Sequence, residues 1–179
     1  MLDDPNMNSK NFLSLSIDRF EQLQSLGLKT LEQLNDEQIH WSPDAESNSI
    51  AIIVQHLYGN MLSRFTDFLT TDGEKPDRHR DSEFIEQKLS LDELKKRWNA
   101  GWDCVFAAIR PLTNDDLDKE VFIRGESHTV MEAILRQISH YAYHVGQIVY
   151  IGKHLKGEEW KTLSIPRGKS DEFLTSPPK

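Results

Sequence analysis

The chain has 179 residues, a formal net charge of −8 and a single cysteine, Cys104. A negative chain has no general attraction to phosphate backbones or anionic lipid, so neither nucleic acid nor a membrane surface is expected as a partner. One cysteine excludes an internal disulfide and a thiolate-rich metal site, and it favours a reducing compartment. The length suits one domain, which we expect to span residues 1–179.

The N-terminal segment gives no targeting signal. Met1–Lys10 contains two aspartates and no apolar run, unlike a signal or transit peptide. No stretch of the sequence approaches the ~20 apolar residues that a membrane-spanning helix needs. We therefore expect a cytoplasmic protein.

Apolar residues recur at helical spacing in the first part of the chain and predict two amphipathic helices. The first covers residues 12–34, and a turn-rich segment, residues 41–48, separates it from a second helix at about residues 49–69. The connection that follows, residues 70–89, is rich in charged side chains. We expect this connection to cross the surface, because it is too polar to bury.

Two segments of the form Ser/Thr-x-x-Glu mark the starts of two further helices, because such pairs cap a helix N-terminus reciprocally. Ser90 and Glu93 open a third helix, whose apolar stripe ends at Pro111. Thr129 and Glu132 open a fourth. The sequence therefore predicts four long helices.

Less regular segments flank the fourth helix. Just before it, Gly125 can supply the positive φ of a tight turn, so residues 121–129 predict a small hairpin. The helix should end near Gly152 or Gly157. Residues 156–179 are predicted to form a tail along the surface.

Two histidines on the fourth helix are candidates for metal binding. His140 and His144 are spaced i, i+4, so their imidazoles share one face and lie about 6 Å apart along the axis. His56, in the middle of the second helix, is the best-placed third ligand. Small neighbours such as Gly59 and Ser63 would let another helix approach it. The alternative is that these are packed core histidines, with His56 bonded to a carbonyl.

The other candidate residues carry weaker indications. His40 and His79 lie in polar connections, where solvated side chains are expected, and His154 lies off the face of the histidine pair. His128 is either a proton shuttle or a hairpin residue, and we favour the hairpin. Cys104 has no histidine partner in sequence, so a nucleophilic role is not expected.

Two polar residues beside the pair, Gln147 and Tyr143, are close enough in sequence to hydrogen-bond near the site. A plain surface position is equally compatible with their spacing.

Two segments resemble sequence signatures of the DinB/YfiT-like superfamily. Residues 49–57, Ser-Ile-Ala-Ile-Ile-Val-Gln-His-Leu, resemble its second-helix signature, and residues 140–148, His-x-x-x-His-x-Gly-Gln-Ile, resemble its last-helix signature. The resemblance covers roughly residues 10–155, and residues 163–170 look like the tail of an uncharacterised branch. It implies an all-α, up-down-down-up four-helix bundle, usually a homodimer, in which three histidines hold one divalent ion. In this chain the matching positions are His56, His140 and His144.

The resemblance also implies chemistry. Characterised members include thiol-dependent S-transferases and a thiol-dependent isomerase, in which the metal activates a low-molecular-weight thiol, and others are described as metal-dependent hydrolases. Three neutral imidazoles leave the ion its full charge and an open position. Zinc is the default ion and nickel the alternative, because imidazole suits both.

Three functional hypotheses remain. The first is an enzyme that uses its metal to activate a low-molecular-weight thiol for transfer to a small-molecule substrate, and the second is a hydrolase that uses metal-bound water. The third is a stress-associated metal-binding module without catalysis. Neither histidine motif contains an internal glutamate base, which favours thiol activation. A homodimer is also expected because aromatic residues such as Trp98 and Trp102 exceed what one small bundle covers.

Overall fold

The computed structural model describes the backbone of residues 5–175 and the side chains of residues 12–172. The described chain is mostly helical, with six α-helices and a two-stranded hairpin. The helices are α1 (Pro5–Leu31), α2 (Asp36–Ile39), α3 (Ile50–Phe65), α4 (Leu91–Ile109), α5 (Val130–Lys156) and α6 (Ser170–Thr175). The strands are β1 (Glu120–Ile123) and β2 (Glu126–Thr129). Residues 1–4 and 176–179 lie outside the described part, and with them part of the predicted N-terminal segment and tail.

Side-chain caps set the starts of the long helices. The Ser90 side chain accepts a hydrogen bond from the Glu93 backbone, and the Glu93 carboxylate accepts one from the Ser90 backbone in return. Thr129 and Glu132 make the same reciprocal pair at α5, and Ser49 caps α3. Both predicted capping boxes are therefore confirmed. Each cap of this kind contributes about 1 kcal/mol to stability.

Helix ends follow backbone conformation. The second helix was predicted to reach residue 69, but α3 ends at Phe65, because Thr66 is extended and Asp67 has a positive φ of 48°. The end of α5 agrees with the prediction, since Gly157 follows it with a φ of 52°. A left-handed residue cannot continue a right-handed helix.

The long helices enclose one core. Helix α1 packs against α4 and α5, and α3 packs against the same two helices from the other side. Trp102 lies at the centre of this core, with its ring centroid 5.9 Å from that of Phe20 and 5.5 Å from that of Tyr141. Trp98 and Trp102 are 1% and 0% exposed. The expectation that these tryptophans stay partly uncovered is wrong, because a glycine, Gly27, leaves space for the Trp98 ring on α1.

The predicted hairpin is confirmed. Strands β1 and β2 pair antiparallel, from Glu120 opposite Thr129 to Ile123 opposite Glu126. Their two-residue turn, Arg124-Gly125, has positive φ at both positions, 58° and 74°, as a type I′ turn requires. The Asp72 carboxylate accepts both backbone N–H groups of that turn, at 2.9 and 2.7 Å. The hairpin is thereby fastened to the connection between α3 and α4.

That connection differs from its prediction. Residues 66–90 do not merely cross the surface, because Glu83 within them is 8% exposed. Gln55 on α3 holds the segment by donating to the carbonyls of Ser82 and Glu83, each at 3.0 Å. Burial of the Glu83 carboxylate is tolerated because it pairs with the guanidinium group of Arg78.

The short segments between the long helices also contribute to the core, as at Ile39 of α2 and at Leu117, which are 0% and 1% exposed. Beyond α5, the side chain of Gln33, two residues after the end of α1, donates to the carbonyl and accepts from the N–H of Lys161, which holds the start of the tail against the body of the protein. No helix in the described residues is long and apolar enough to cross a membrane.

Candidate metal centre

Helices α3 and α5 bring the three predicted histidines together. One ligand atom from each of His56, His140 and His144 can be chosen so that all lie within 4.8 Å of one another. The Nε2 atoms of His56 and His140 are 3.3 Å apart. Two imidazole nitrogens on one tetrahedral zinc ion, with bonds of about 2.05 Å, lie about 3.3 Å apart. This pair of nitrogens is therefore at the spacing that a shared ion requires.

Glu83 fixes the tautomer of His56. The His56 Nδ1–H donates to Oε2 of Glu83 at 2.8 Å, and an ionised carboxylate can only accept. The lone pair of His56 is thus on Nε2, which faces His140. A carboxylate behind a ligating imidazole is the usual means of orienting a metal ligand.

Arg78 holds Glu83 in turn. Its Nε donates to Oε1 and its Nη2 to Oε2 of the carboxylate, at 2.8 and 2.9 Å. Burial alone would raise the pKa of Glu83, but the hydrogen bonds from His56 and Arg78 outweigh it and the pKa is lowered. Glu83 therefore stays ionised at neutral pH and keeps its acceptor role.

Gly59 makes room for this carboxylate. A Cβ at Gly59 would lie 2.8 Å from Cδ of Glu83 and still closer to Oε1. The sequence-based interpretation, that small residues near His56 admit another helix, is wrong at this position. The space is taken by a side chain from the connection.

Gln147 has the same effect on His144. The Nδ1–H of His144 donates to Oε1 of Gln147 at 2.9 Å, one turn along α5, which leaves the lone pair on Nε2. Gln147 therefore lies at the site, as one of the two predicted alternatives had it. Tyr143 is 64% exposed and lies at the edge of the adjoining cavity.

Burial keeps the imidazoles neutral. Desolvation, followed by the neighbouring His144 and His56, lowers the pKa of His140 to about 3. Desolvation also lowers the pKa of His144. Neutral imidazole is the form that binds a metal ion, so the lone pairs of both residues are available at pH 7.

The three histidines face a cavity of about 560 Å³. The described residues that line it include no carboxylate, since Glu83 lies behind His56 and Arg78. Its other charged lining residues are all arginines: Arg64, Arg78, Arg80, Arg124 and Arg136. A ligand held by the histidines would thus have space beside it and positive charge around it.

The remaining histidines lie elsewhere. His128 faces Val121 across the hairpin and does not line the cavity, which confirms it as a hairpin residue. His79 and His154 are exposed, as predicted. His40 is not solvated as predicted: it is partly buried and bonds the Glu86 carboxylate and the Leu89 carbonyl, because the end of the connection folds over it.

Cys104 also lies apart from the site. Its sulfur is partly buried beside the Thr66 hydroxyl and the Met61 carbonyl, and no described histidine contacts it.

Sequence reasoning missed Glu83 and the arginines around the cavity. The sequence predicted the connection, residues 70–89, only as a segment that crosses the surface. Its mixture of acidic and basic residues was compatible with internal ion pairs, which allow a charged side chain to be buried.

A comparison with protein families gives a match over most of the chain. The model of a family described as "Protein of unknown function (DUF1572)" matches residues 7–169, which include all three histidines and Glu83. No curated protein matches the chain. Since the match covers most of its length, the chain belongs to the DUF1572 family.

Proposed function

We propose that this protein is a divalent-metal-dependent enzyme of the DinB/YfiT-like kind, which activates a low-molecular-weight thiol for transfer to a small-molecule electrophile. The observation that carries the proposal is the convergence of His56, His140 and His144 within 4.8 Å, at the side of a cavity of about 560 Å³. Two of the imidazoles have their Nδ1 atoms held by Glu83 and Gln147. A set oriented in this way fits a metal better than it fits a plain core contact.

The donor set suits zinc or nickel, with zinc as the default. Three neutral imidazoles neutralise none of the ion's charge, and a divalent ion held this way supplies Lewis acidity that lowers the pKa of a thiol or water beside it. The protein itself holds the imidazoles of His56, His140 and His144 so that their lone pairs converge on one point. Tyr143 and the arginines shape the space where a substrate lies.

Thiol activation is preferred to hydrolysis because the described lining of the cavity offers no carboxylate base. Glu83, the nearest carboxylate, is bonded to His56 and Arg78, and its pKa is lowered, so it is a weak proton acceptor. Attack by water gains from a general base, whereas a thiol with a pKa of about 8.5 loses its proton readily beside a metal.

The packing of the helices supports the superfamily assignment. The long connection from α3 to α4 and the pairing of α1 with α4 and α5 fit an up-down-down-up four-helix bundle. A homodimer belongs to the same proposal. Leu135, Tyr143 and Tyr150 are 49%, 64% and 75% exposed and lie on one side of α5.

Cobalt substitution tests the thiol assignment. Cobalt-loaded protein titrated with cysteine, glutathione and other common cellular thiols should develop a sulfur-to-metal charge-transfer band, and zinc-loaded protein should consume thiol in the presence of an electrophile. Ester or amide cleavage that needs the metal but no thiol, with no such band, would replace this function by the hydrolase.

A further inference from the structure

The charge around the cavity is opposite to the charge of the chain. The chain carries a net charge of −8, yet five arginines line this one cavity and no described carboxylate does. They come from separate elements: Arg64 from α3, Arg78 and Arg80 from the connection, Arg124 from the hairpin turn and Arg136 from α5. Charge that serves solubility is normally mixed in sign and spread over the surface.

The two inner arginines have structural partners. Arg64 is 6% exposed, and it donates to the Gly73 carbonyl and to Glu74. The side chain of Arg78 is 5% exposed, and its guanidinium group donates hydrogen bonds to Glu83 and Glu74. These guanidinium groups hold the connection and Glu83 in place, so their presence needs no ligand.

The outer arginines are different. Arg80 and Arg136 are exposed and form no ion pair with any side chain that the structure describes, although Arg80 lies over the Phe84 ring. Arg124 is 53% exposed and shares the Glu74 carboxylate with Arg64 and Arg78. The mouth of the cavity thus holds guanidinium groups whose donors are free to bind an anion.

Arg136 lies on the same face of α5 as His140 and His144. It precedes His140 by four residues and His144 by eight on α5, so the three share one face of the helix. The rise between Arg136 and His140 is about 6 Å. An anionic group on Arg136 would therefore lie about one helical turn from the histidine cluster, within one small molecule's length.

We propose that the cavity selects a small organic anion, whose carboxylate or phosphate group is bound by Arg136 and Arg80 at the mouth while its reacting end lies at the three histidines. This assignment of a substrate class rests on the proposed function for its reacting end, but anion binding at the mouth does not. Arginine is the suited residue because its planar fork pairs two N–H donors with two oxygens of a carboxylate or phosphate. Specificity then comes from the mouth and chemistry from the histidines.

Calorimetric titration of the full-length protein at constant low ionic strength tests the proposal. The probes are inorganic phosphate, succinate and, as the uncharged analogue, succinamide. We expect phosphate or succinate to bind and succinamide not to bind, and the tighter of the two anions identifies the group that the mouth recognises. Arg136→Gln and Arg80→Gln should each weaken that binding about tenfold. Arg19→Gln, an equal change of charge at an exposed position of α1, should leave the affinity unchanged.

The His140→Ala/His144→Ala variant separates this inference from the proposed function. It should lose its metal and keep its affinity for the anion. If the parent binds metal, but Arg136→Gln, Arg80→Gln and the parent all bind the anion with equal affinity, the anion site is overturned and the proposed function is not. Failure of both anions to bind the parent, or equal binding of succinamide, also overturns it. If the parent binds the anion through these arginines but binds no metal, the proposed function is overturned and the anion site is not.

Discussion

At the residue scale, the arrangement of the proposed metal ligands depends on Glu83, a side chain outside both histidine helices. It accepts a hydrogen bond from Nδ1–H of His56 and is itself held by two N–H groups of Arg78. Without it, His56 could rotate or adopt the other tautomer. Groups of this kind tune metal affinity without touching the ion.

The Glu83→Gln variant should bind zinc about 10–100-fold more weakly than the parent, because the amide is a weaker acceptor for His56 and removes one of the two carboxylates that pair with Arg78. Competition with a chromogenic chelator measures the affinity. Circular dichroism confirms that the variant is folded. Glu126→Gln, at an exposed position of strand β2, serves as the control and should match the parent. Equal affinity in Glu83→Gln and the parent would show that Glu83 does not orient a ligand.

At the element scale, two helical glycines should respond oppositely to the same substitution. On α3, Gly59→Ala places a methyl group against the Glu83 carboxylate, and we expect it to destabilise the protein by about 1–3 kcal/mol and to weaken metal binding. On α5, Gly146→Ala meets nothing within 4 Å, and we expect a gain of up to about 1 kcal/mol from better helix propensity.

Urea unfolding of both glycine variants gives the free energies of unfolding. If Gly59→Ala were as stable as Gly146→Ala and held zinc equally well, the connection would not press against α3 as described. If only Gly146→Ala changed the free energy of unfolding, the result would report on helix propensity and not on the contact between the connection and α3.

Local sequence rules located the four long helices and the histidines that they carry, although not every helix end: the first helix was predicted over residues 12–34 and the second to residue 69, whereas α1 ends at Leu31 and α3 at Phe65. The capping pairs at Ser90 and Thr129 and the i, i+4 spacing of His140 and His144 are short-range patterns, which depend only on helix geometry. The path of residues 66–90 has no such period. Its position depends on long-range contacts, such as those of Gln55 with the backbone at Glu83, which no local pattern in the sequence encodes.

At the scale of the whole molecule, one side of α5 remains uncovered. Its exposed residues include Leu135, Ala142, Tyr143 and Tyr150. We propose that a second copy of the chain packs there and buries these side chains. The buried tryptophans of the core supply no support for a dimer.

Light scattering at micromolar concentration should therefore give the mass of a dimer. The double variant Leu135→Glu/Tyr150→Glu should give that of a monomer, because it places like charges across the proposed interface. Glu substitutions at Leu69 and Ile165, exposed outside α5, are the control and should leave a dimer. A monomer mass for the parent at every concentration tested would contradict the dimer.

The central claim is that His56, His140 and His144 form one metal site, and elemental analysis of the purified protein tests it most directly. We predict about one zinc or nickel ion per chain in the parent and in His154→Ala, whose imidazole is exposed on the same helix. We predict almost none in His140→Ala/His144→Ala. Equal metal content in the double variant and the parent would contradict the site.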